Sequence, residues 1–287
     1  MPESPDAATD PVSGSLPGKP PLRWRIEFAY DGTDFFGWAR QPGLRTVQDE
    51  VERAIALVGR TSTVSMTCAG RTDAGVHARH QVAHVDLAAG VGEALSTRRL
   101  NGVLPSDITV HRIQPAPDGF DARFSAIYRR YIYRLADTDA GVDPLRRREV
   151  YTSRPLALEP MREAAAGLLG LHDFAAFCKA RDGATTIRTL TELTITRTAT
   201  EVVEMTVVAD AFCHAMVRAL VGALVAVGES RAPVGWPAEV LAARRRHPAV
   251  RVMPPGGLTL EEVGYPADSE LAARAAASRA LRVLPGD

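Results

Sequence analysis

A short turn bracketed by glycines, between two strand-like segments, constrains the fold of this chain more than any other feature. It lies in residues 68–81, CAGRTDAGVHARHQ. Gly70 and Gly75 let the backbone turn tightly and come close to a ligand. Asp73 stands between them, two residues after Arg71, so the turn predicts a carboxylate held at the floor of a cleft beside a guanidinium. The alternative is an ordinary Asx turn, in which the Asp73 side chain bonds its own backbone.

The segments on both sides of the turn carry the pattern of strands. Residues 64–67 and 81–87 are predicted strands, so a sheet would hold the turn at both ends and position it. Residues 23–30 alternate in the same way and predict a further strand. Apolar residues recur at helical spacing within residues 46–58, which predicts a helix.

The second half of the chain repeats this plan loosely. Its predicted strands are residues 130–135, 190–196 and 202–208, and its predicted helices are residues 160–169, 212–227 and 237–246. Strands interleaved with helices, without a strict βαβ repeat, predict an α+β fold with two similar halves. The Ala-rich end of the chain predicts a helix capped by Asp268 or Ser269, lying on the surface or unstructured.

Length and composition are those of an ordinary globular protein. The chain has 287 residues, 46% of them apolar and 24% charged, which indicates about two domains of ~150 residues. The sequence contains no run of about 18 consecutive apolar residues, so it predicts no transmembrane helix. Residues 1–22 are rich in Pro, Ser, Gly and Asp and lack an apolar core, so they predict a disordered tail and no signal peptide.

Three cysteines, Cys68, Cys178 and Cys213, are odd in number and far apart in the sequence. That spacing does not indicate a disulfide framework. It predicts reduced thiols, as in a cytoplasmic protein.

The charged residues balance, with 34 basic and 34 acidic side chains. A neutral total is not typical of a nucleic-acid-binding protein. However, only Lys19 and Lys179 are lysines, and arginines cluster at residues 129–130, 146–148 and 244–246. Guanidinium groups pair with phosphates and stack on bases, so these clusters are candidate RNA contacts. The alternative is that the excess of arginine over lysine is a compositional bias of the genome.

Residues 70–77, GRTDAGVH, resemble the active-site signature of the tRNA pseudouridine synthase A family at all eight positions. Further motifs resemble the family in order and spacing, and several motifs in order are stronger evidence than one. These motifs are Tyr30-Asp31-Gly32-Thr33, Gly37-Trp38, Arg40-Gln41-Pro42, Thr46-Val47-Gln48, Asn101, Leu104-Pro105, Asp107-Ile108, residues 122–133, His172-Asp173-Phe174, residues 212–222, Gly257-Leu258 and Tyr265-Pro266.

The resemblance implies the pseudouridine synthase fold, with two similar α/β domains whose antiparallel sheets join around a central RNA-binding cleft. We expect residues 23–115 to form the N-terminal domain with the catalytic loop and residues 116–266 the C-terminal domain. Residues 1–22 would be a disordered tail and residues 267–287 a helical or disordered extension. The implied activity is isomerisation of uridine to pseudouridine at positions 38–40 in the anticodon stem-loop of tRNAs. The implied enzyme is a cytoplasmic homodimer without a cofactor, with the RNA lying across both subunits.

The resemblance also assigns roles to four residues. Asp73 is the implied nucleophile, which attacks either the sugar or the base. Arg218 falls at the position of the family's arginine on the later helix, where its charge would keep that carboxylate ionised. Tyr131 would stack on a uracil flipped out of the helix, and its hydroxyl could assist proton removal at carbon 5. Arg71 would enter the RNA stack or hold a phosphate.

The histidines beyond the turn leave an alternative open. His77, His80 and His84, with Cys68 nearby, could form a zinc site, and the protein would then be a metal-dependent hydrolase. No paired cysteines and no HExxH motif accompany them, and strand alternation would point them in different directions. We therefore predict no metal and expect the histidines to bond locally or to face RNA. A further alternative is a non-catalytic RNA-binding protein on the same fold, because a fold alone does not establish an activity.

Overall fold

The structure is a computed structural model that describes residues 20–137, 143, 145–146, 148–179 and 185–280. The strands are β1 (Leu22–Tyr30), β2 (Met66–Cys68), β3 (His77–Leu87), β4 (Ile108–Pro115), β5 (Tyr128–Ala136), β6 (Val150–Tyr151), β7 (Gly170–Asp173), β8 (Ile187–Arg197), β9 (Val203–Ala209) and β10 (Leu258–Gly264). The α-helices are α1 (Val47–Gly59), α2 (Thr97–Asn101), α3 (Leu158–Ala166), α4 (Met216–Gly228), α5 (Trp236–Ala242) and α6 (Leu271–Ser278).

These strands form one sheet in the order β4-β1-β3-β10-β5-β9-β8-β7, with β2 paired to β3 and β6 paired to β5. The pairs are antiparallel except β3 with β10 and β5 with β6. The two halves of the chain therefore meet where β10 inserts between β3 and β5. The α+β prediction is confirmed as a mixed fold with a large, mostly antiparallel sheet. The boundary near residue 115 follows β4 and stays a prediction, because the sheet is continuous across it.

Local sequence accounts well for α1. The Thr46 hydroxyl caps the helix by accepting the backbone N–H of Asp49 at 3.4 Å. Val47, Val51 and Ile55 are fully buried at the spacing that places them on one face of the helix. The predicted bounds therefore differ from the observed ones by only one residue at each end.

Strand pairing extends or creates several elements that local pattern did not predict. β3 begins at His77, four residues earlier than predicted, because Ala78 pairs with Tyr30 in β1 and His77 pairs with Thr259 in β10. β4, β7 and β10 were not predicted at all. β4 and β10 are defined by hydrogen bonds to strands that are distant in the sequence, and β7 by hydrogen bonds to the strand that follows it.

The apolar helix α4 begins at Met216, not at the predicted Phe212. Ala215 adopts a left-handed conformation with φ 64°, which breaks the helical path before that point. All residues of α4 except Arg218 are buried. α5 also ends earlier than predicted, at Ala242. None of the described helices has the length and apolar character needed to cross a membrane.

Gly222 lets α4 lie directly against the chain that precedes β10. A Cβ at Gly222 would lie 1.8 Å from the carbonyl oxygen of Arg251. One turn earlier, the backbone oxygen of Arg218 accepts the N–H of Met253 at 3.1 Å. Because glycine has no side chain, Gly222 allows this short distance between α4 and residues 251–253.

We expect Gly222→Ala to destabilise the protein by about 1–3 kcal/mol, because the backbone must shift to relieve the overlap. Thermal unfolding measures this loss. Gly167→Ala is the matched control, since its added Cβ would meet neighbours only at 3.6 Å and its φ is negative. A Gly222→Ala variant that melts at the temperature of the unaltered protein would refute the close approach.

The prediction of three reduced thiols is wrong for two of them. Cys178 and Cys213 are joined as a disulfide, with Cα atoms 5.8 Å apart. The fold brings them together because the N–H of Lys179 donates to the carbonyl of His214 at 3.0 Å, which aligns the two segments. Cys68 is free and buried, and burial raises the pKa of its thiol to about 12. Its thiol is therefore protonated at neutral pH.

Candidate active site

Backbone hydrogen bonds hold the Asp73 loop on both sides. The N–H of Trp38 donates to the carbonyl of Thr72 at 3.0 Å, and the N–H of Gly75 donates to the carbonyl of Phe35 at 3.2 Å. Gly75 has φ +76°, which explains the glycine, and a Cβ there would come within 2.8 Å of the Pro255 side chain. Main-chain hydrogen bonds therefore fix the loop to residues 35 and 38. The loop can therefore hold Asp73 in one place.

Two side chains from the other half of the chain, an arginine and a histidine, contact the Asp73 carboxylate. Nη1 of Arg218 donates to Oδ2 at 3.2 Å, and Nε2 of His214 lies 3.3 Å from Oδ1. The carboxylate is about one quarter exposed. Its described contacts run to these residues and not to its own turn, which favours the predicted cleft over the Asx-turn alternative.

Arg218 is the single charged residue of α4, and it is anchored at two points. Its Nε donates to the carbonyl of Met253 at 2.6 Å while its Nη1 reaches Asp73. The carbonyl bond fixes the direction of the guanidinium. Arg218 can thus orient the Asp73 carboxylate as well as balance its charge.

Tyr131 lies in β5, paired in register with Leu260 and Val207. Its ring packs edge-on against Phe212, with centroids 5.2 Å apart and planes at 90°. The side chain is 7% exposed and lines the same cleft as Asp73. Burial raises the pKa of Tyr131 well above its usual range, so the hydroxyl is neutral at physiological pH. It is available as a hydrogen-bonding group and not as a phenolate base.

Asp73, Tyr131, Arg218 and Arg71 all line one open cleft of about 920 Å³, so the structure brings the four predicted residues together. Arg71 is exposed to solvent. Among the described residues of the cleft wall, seven are arginines and two are aspartates. A chain of zero net charge therefore presents a strongly basic cleft, and its acidic side chains lie mostly elsewhere.

Two of the arginine clusters seen in the sequence do not line this cleft, as far as the structure describes them. Arg146 pairs with Glu149 at 2.8 Å, and Arg148 pairs with Asp31 at 3.1 Å. Residues 244–246 do not line the cleft either. Arg147 falls outside the described residues. The basic character of the cleft therefore does not come from residues 146, 148 or 244–246.

The third cluster contributes one arginine to the cleft wall, and that one is committed to the fold. Arg129 is buried, and its guanidinium donates to three backbone carbonyls, which are those of Ala69, Arg123 and Asp210. Arg130 does not line the cleft and is bound to Glu262 at 2.7 Å. The other arginines of the cleft wall stand outside the three clusters.

The three histidines beyond the turn have separate hydrogen-bonding partners. Nδ1 of His77 accepts the N–H of Gly32 and its Nε2 donates to the carbonyl of Gly256, both at 3.0 Å. His84 accepts the N–H of Ala122, and His80 lies 3.3 Å from Glu27. Burial lowers the pKa of His77 and of His84. Within the described residues, no group of three or more His, Cys, Asp or Glu side chains is arranged to hold a metal ion.

Three features of the site were not predicted from the sequence. His214 contacts the nucleophile candidate, and Phe212 packs on Tyr131. In addition, Arg274 of α6 and Arg279, which follows the end of α6, line the cleft. The segment 212–215 was assigned to a helix, where these side chains would have pointed elsewhere. The left-handed Ala215 precedes the first residue of α4, and residues 212–215 line the cleft outside the helix.

Comparisons with known proteins agree with this site. The family model described as tRNA pseudouridine synthase matches residues 27–125 and 164–266. The chain is 59% identical to a "tRNA pseudouridine synthase A" of Streptomyces griseus over 92% of this chain and 95% of that protein. It is 56% identical to one from Frankia casuarinae over 92% and 97% of the two chains, and 53% identical to one from Cutibacterium acnes over 91% and 95%.

A solved structure titled "Crystal Structure of a Cbf5-Nop10-Gar1 Complex" aligns with 71% of this chain and 54% of that chain, at 11% identity and a TM-score of 0.30. A TM-score of 0.30 does not establish a common fold. The family match is different, because it runs through both halves of the sheet and across the loop that presents Asp73. On these matches, the chain belongs to the tRNA pseudouridine synthase family.

Proposed function

We propose that the protein converts uridine to pseudouridine at positions 38–40 of the tRNA anticodon stem-loop, with Asp73 as the nucleophile. Family membership gives the reaction and the class of substrate. The modified positions, 38–40, and the role of Asp73 as the nucleophile are what we propose beyond it. We further propose that the enzyme works as a homodimer in the cytoplasm and needs no cofactor. The tRNA substrate of the family supports this location, whereas the Cys178–Cys213 disulfide means that reduced thiols do not.

The position of Asp73 carries the proposal. The reaction breaks the bond between N1 of uracil and C1′ of ribose and forms a bond between C5 and C1′. The C5 proton leaves and N1 gains a proton, so the substrate and product are isomers and no co-reactant is consumed. One carboxylate that adds to the sugar or to the base can divide this change into easier steps. Asp73 is held by Arg218 and His214 in the wall of a basic cleft, which suits that role.

Turnover on defined tRNA transcripts tests the proposed function. We expect pseudouridine to appear at uridines 38, 39 and 40, and to be lost at each position where the uridine is replaced by cytidine. Product elsewhere in the tRNA would overturn the positional assignment. Binding without product would favour the alternative of a non-catalytic RNA-binding protein.

The homodimer is tested by light scattering of the purified protein with and without tRNA. We expect a mass of two chains in the free protein, and two chains with bound RNA in the complex. Mixed dimers made from two inactive variants test whether one RNA lies across both subunits. A monomer that retains full turnover would reject this part of the proposal.

Tyr131→Phe separates the two roles of the tyrosine. The ring remains and can stack on a flipped uracil, but the hydroxyl is lost. We expect the single-turnover rate to fall by about 10²-fold or more while tRNA affinity changes by less than about threefold. An unchanged rate would show that the hydroxyl takes no part in the reaction.

His214 is the second side chain on the nucleophile, and we expect it to position the Asp73 carboxylate. His214→Ala should lower the single-turnover rate by about tenfold, whereas His214→Gln should restore part of it, because the amide can still donate to Oδ1. The affinity for tRNA should change little in both variants. Equal losses in the Ala and Gln variants would argue against a hydrogen-bonding role.

A further inference from the structure

The C-terminal helix α6 is docked on the chain that leads into the active-site strand β5. Leu271 is 1% exposed and Ala275 is 4% exposed, and they lie one turn apart on the docked face. The hydroxyl of Ser125 donates to the carbonyl of Leu271 at 3.1 Å. A Cβ at Gly119 would lie 2.6 Å from the Cβ of Ala272, so the helix approaches this chain closely. The sequence predicts a helix here, lying on the surface or unstructured, and the structure has the helix but docks it on the protein.

Docking turns two arginines of this region toward the cleft. Arg274, Ser278 and Arg279 line the same cleft as Asp73 and Tyr131. The Nε and Nη2 atoms of Arg274 each donate to the carbonyl of Ala126 at 3.4 Å. The other donors of the guanidinium can bind a ligand. The matched family segment ends at residue 266, so α6 lies beyond it.

Two guanidinium groups lie over the ring of Phe124 at this wall of the cleft. Arg279 lies over the ring at 4.7 Å from its centroid, and Arg123 lies at 5.1 Å. Arg279 is also bound to Asp121 at 3.2 Å. Aromatic rings beside guanidinium groups are the chemistry that proteins use to hold single-stranded or splayed RNA, by stacking on bases and by pairing with phosphates.

We propose that α6 and the arginine that follows it are part of the substrate site, where Arg274 and Arg279 bind phosphates of the RNA strand next to the uridine being modified. This inference rests on the proposed function, because it takes tRNA as the ligand of the cleft. Arg123 and Phe124 complete the contact surface. The tether to Asp121 holds Arg279 in place before RNA arrives, which lowers the entropic cost of binding.

The competing role for these arginines is to fasten α6 to the protein. In the Arg279–Asp121 ion pair the arginine is exposed, with 54% of its side chain accessible to solvent. Such pairs contribute about 0–1 kcal/mol to folding. Leu271 and Ala275 bury the apolar face of the helix without them. The docking of α6 therefore does not require Arg274 or Arg279.

The test is the double variant Arg274→Gln/Arg279→Gln, measured for tRNA affinity at several salt concentrations, single-turnover rate and melting temperature. We expect Kd to rise about tenfold, and the slope of log K against log salt to become shallower by about 0.7–0.9 for each phosphate that is no longer neutralised. The rate at saturating RNA and the melting temperature should stay near those of the unaltered protein. Arg98→Gln is the control, because Arg98 lies on α2 and does not line the cleft.

A double variant with unchanged affinity and salt dependence would overturn the inference. The Arg274→Lys/Arg279→Lys variant separates the two roles, since lysine keeps the charge but loses the planar fork. Restored affinity supports phosphate binding. A loss of affinity that lysine does not restore, together with a lower melting temperature, would show that the arginines only fasten α6. Turnover by the unaltered protein in the same samples distinguishes these results from a failure of the proposed function.

Discussion

Asp73→Asn should abolish pseudouridine formation while the protein remains folded and still binds tRNA. The amide has nearly the shape of the carboxylate but is a poor nucleophile, and it loses the charge that pairs with Arg218. We expect a fall of at least about 10³-fold in the single-turnover rate. Most of the affinity should persist, because phosphate contacts supply it.

Single-turnover assays at saturating enzyme measure this loss, and filter binding measures the retained affinity. Asp34→Asn is the matched control. It makes the same change at an exposed aspartate that does not line the cleft. More than trace turnover by purified Asp73→Asn would refute the nucleophile assignment.

Arg218→Ala should have the second largest effect. It removes the donor that aligns Oδ2 of Asp73 and the bond to the carbonyl of Met253. We expect the single-turnover rate to fall by about 10²–10³-fold, the range found when one preorganised donor is removed from an active site. The carboxylate would still occupy the cleft, but with its geometry set by His214 alone.

Arg218→Lys refines this result. Lysine keeps the charge, but its single ammonium cannot reproduce both directions of the guanidinium. We expect a rate between those of the alanine variant and the unaltered protein. Melting temperatures of both variants control for the lost bond to Met253. A normal rate for Arg218→Ala in a folded protein would reject the pairing with Asp73.

The order and identity of the motifs were enough to predict the α+β class, the family and the four residues that the cleft brings together. This success has a local cause. The cap and the amphipathic pattern of α1 are set by residues that are neighbours in the chain, and Gly75 itself supplies the positive φ of the turn. Predictions that depended on such local rules were accurate to within a few residues.

The sequence by itself therefore determined the turn, the charged residue inside an apolar helix and the residues able to do the chemistry. The tertiary structure decided how these parts meet. β4 and β10 exist as strands because distant strands pair with them, and residues 212–215 line the cleft because the left-handed Ala215 keeps them out of α4. Likewise, the neutral sum of charges concealed a basic cleft, since arginines from distant parts of the chain converge there only after folding. Long-range pairing and packing place side chains that no local spacing relates, which is why His214, Arg274 and Arg279 joined the site only in the folded protein.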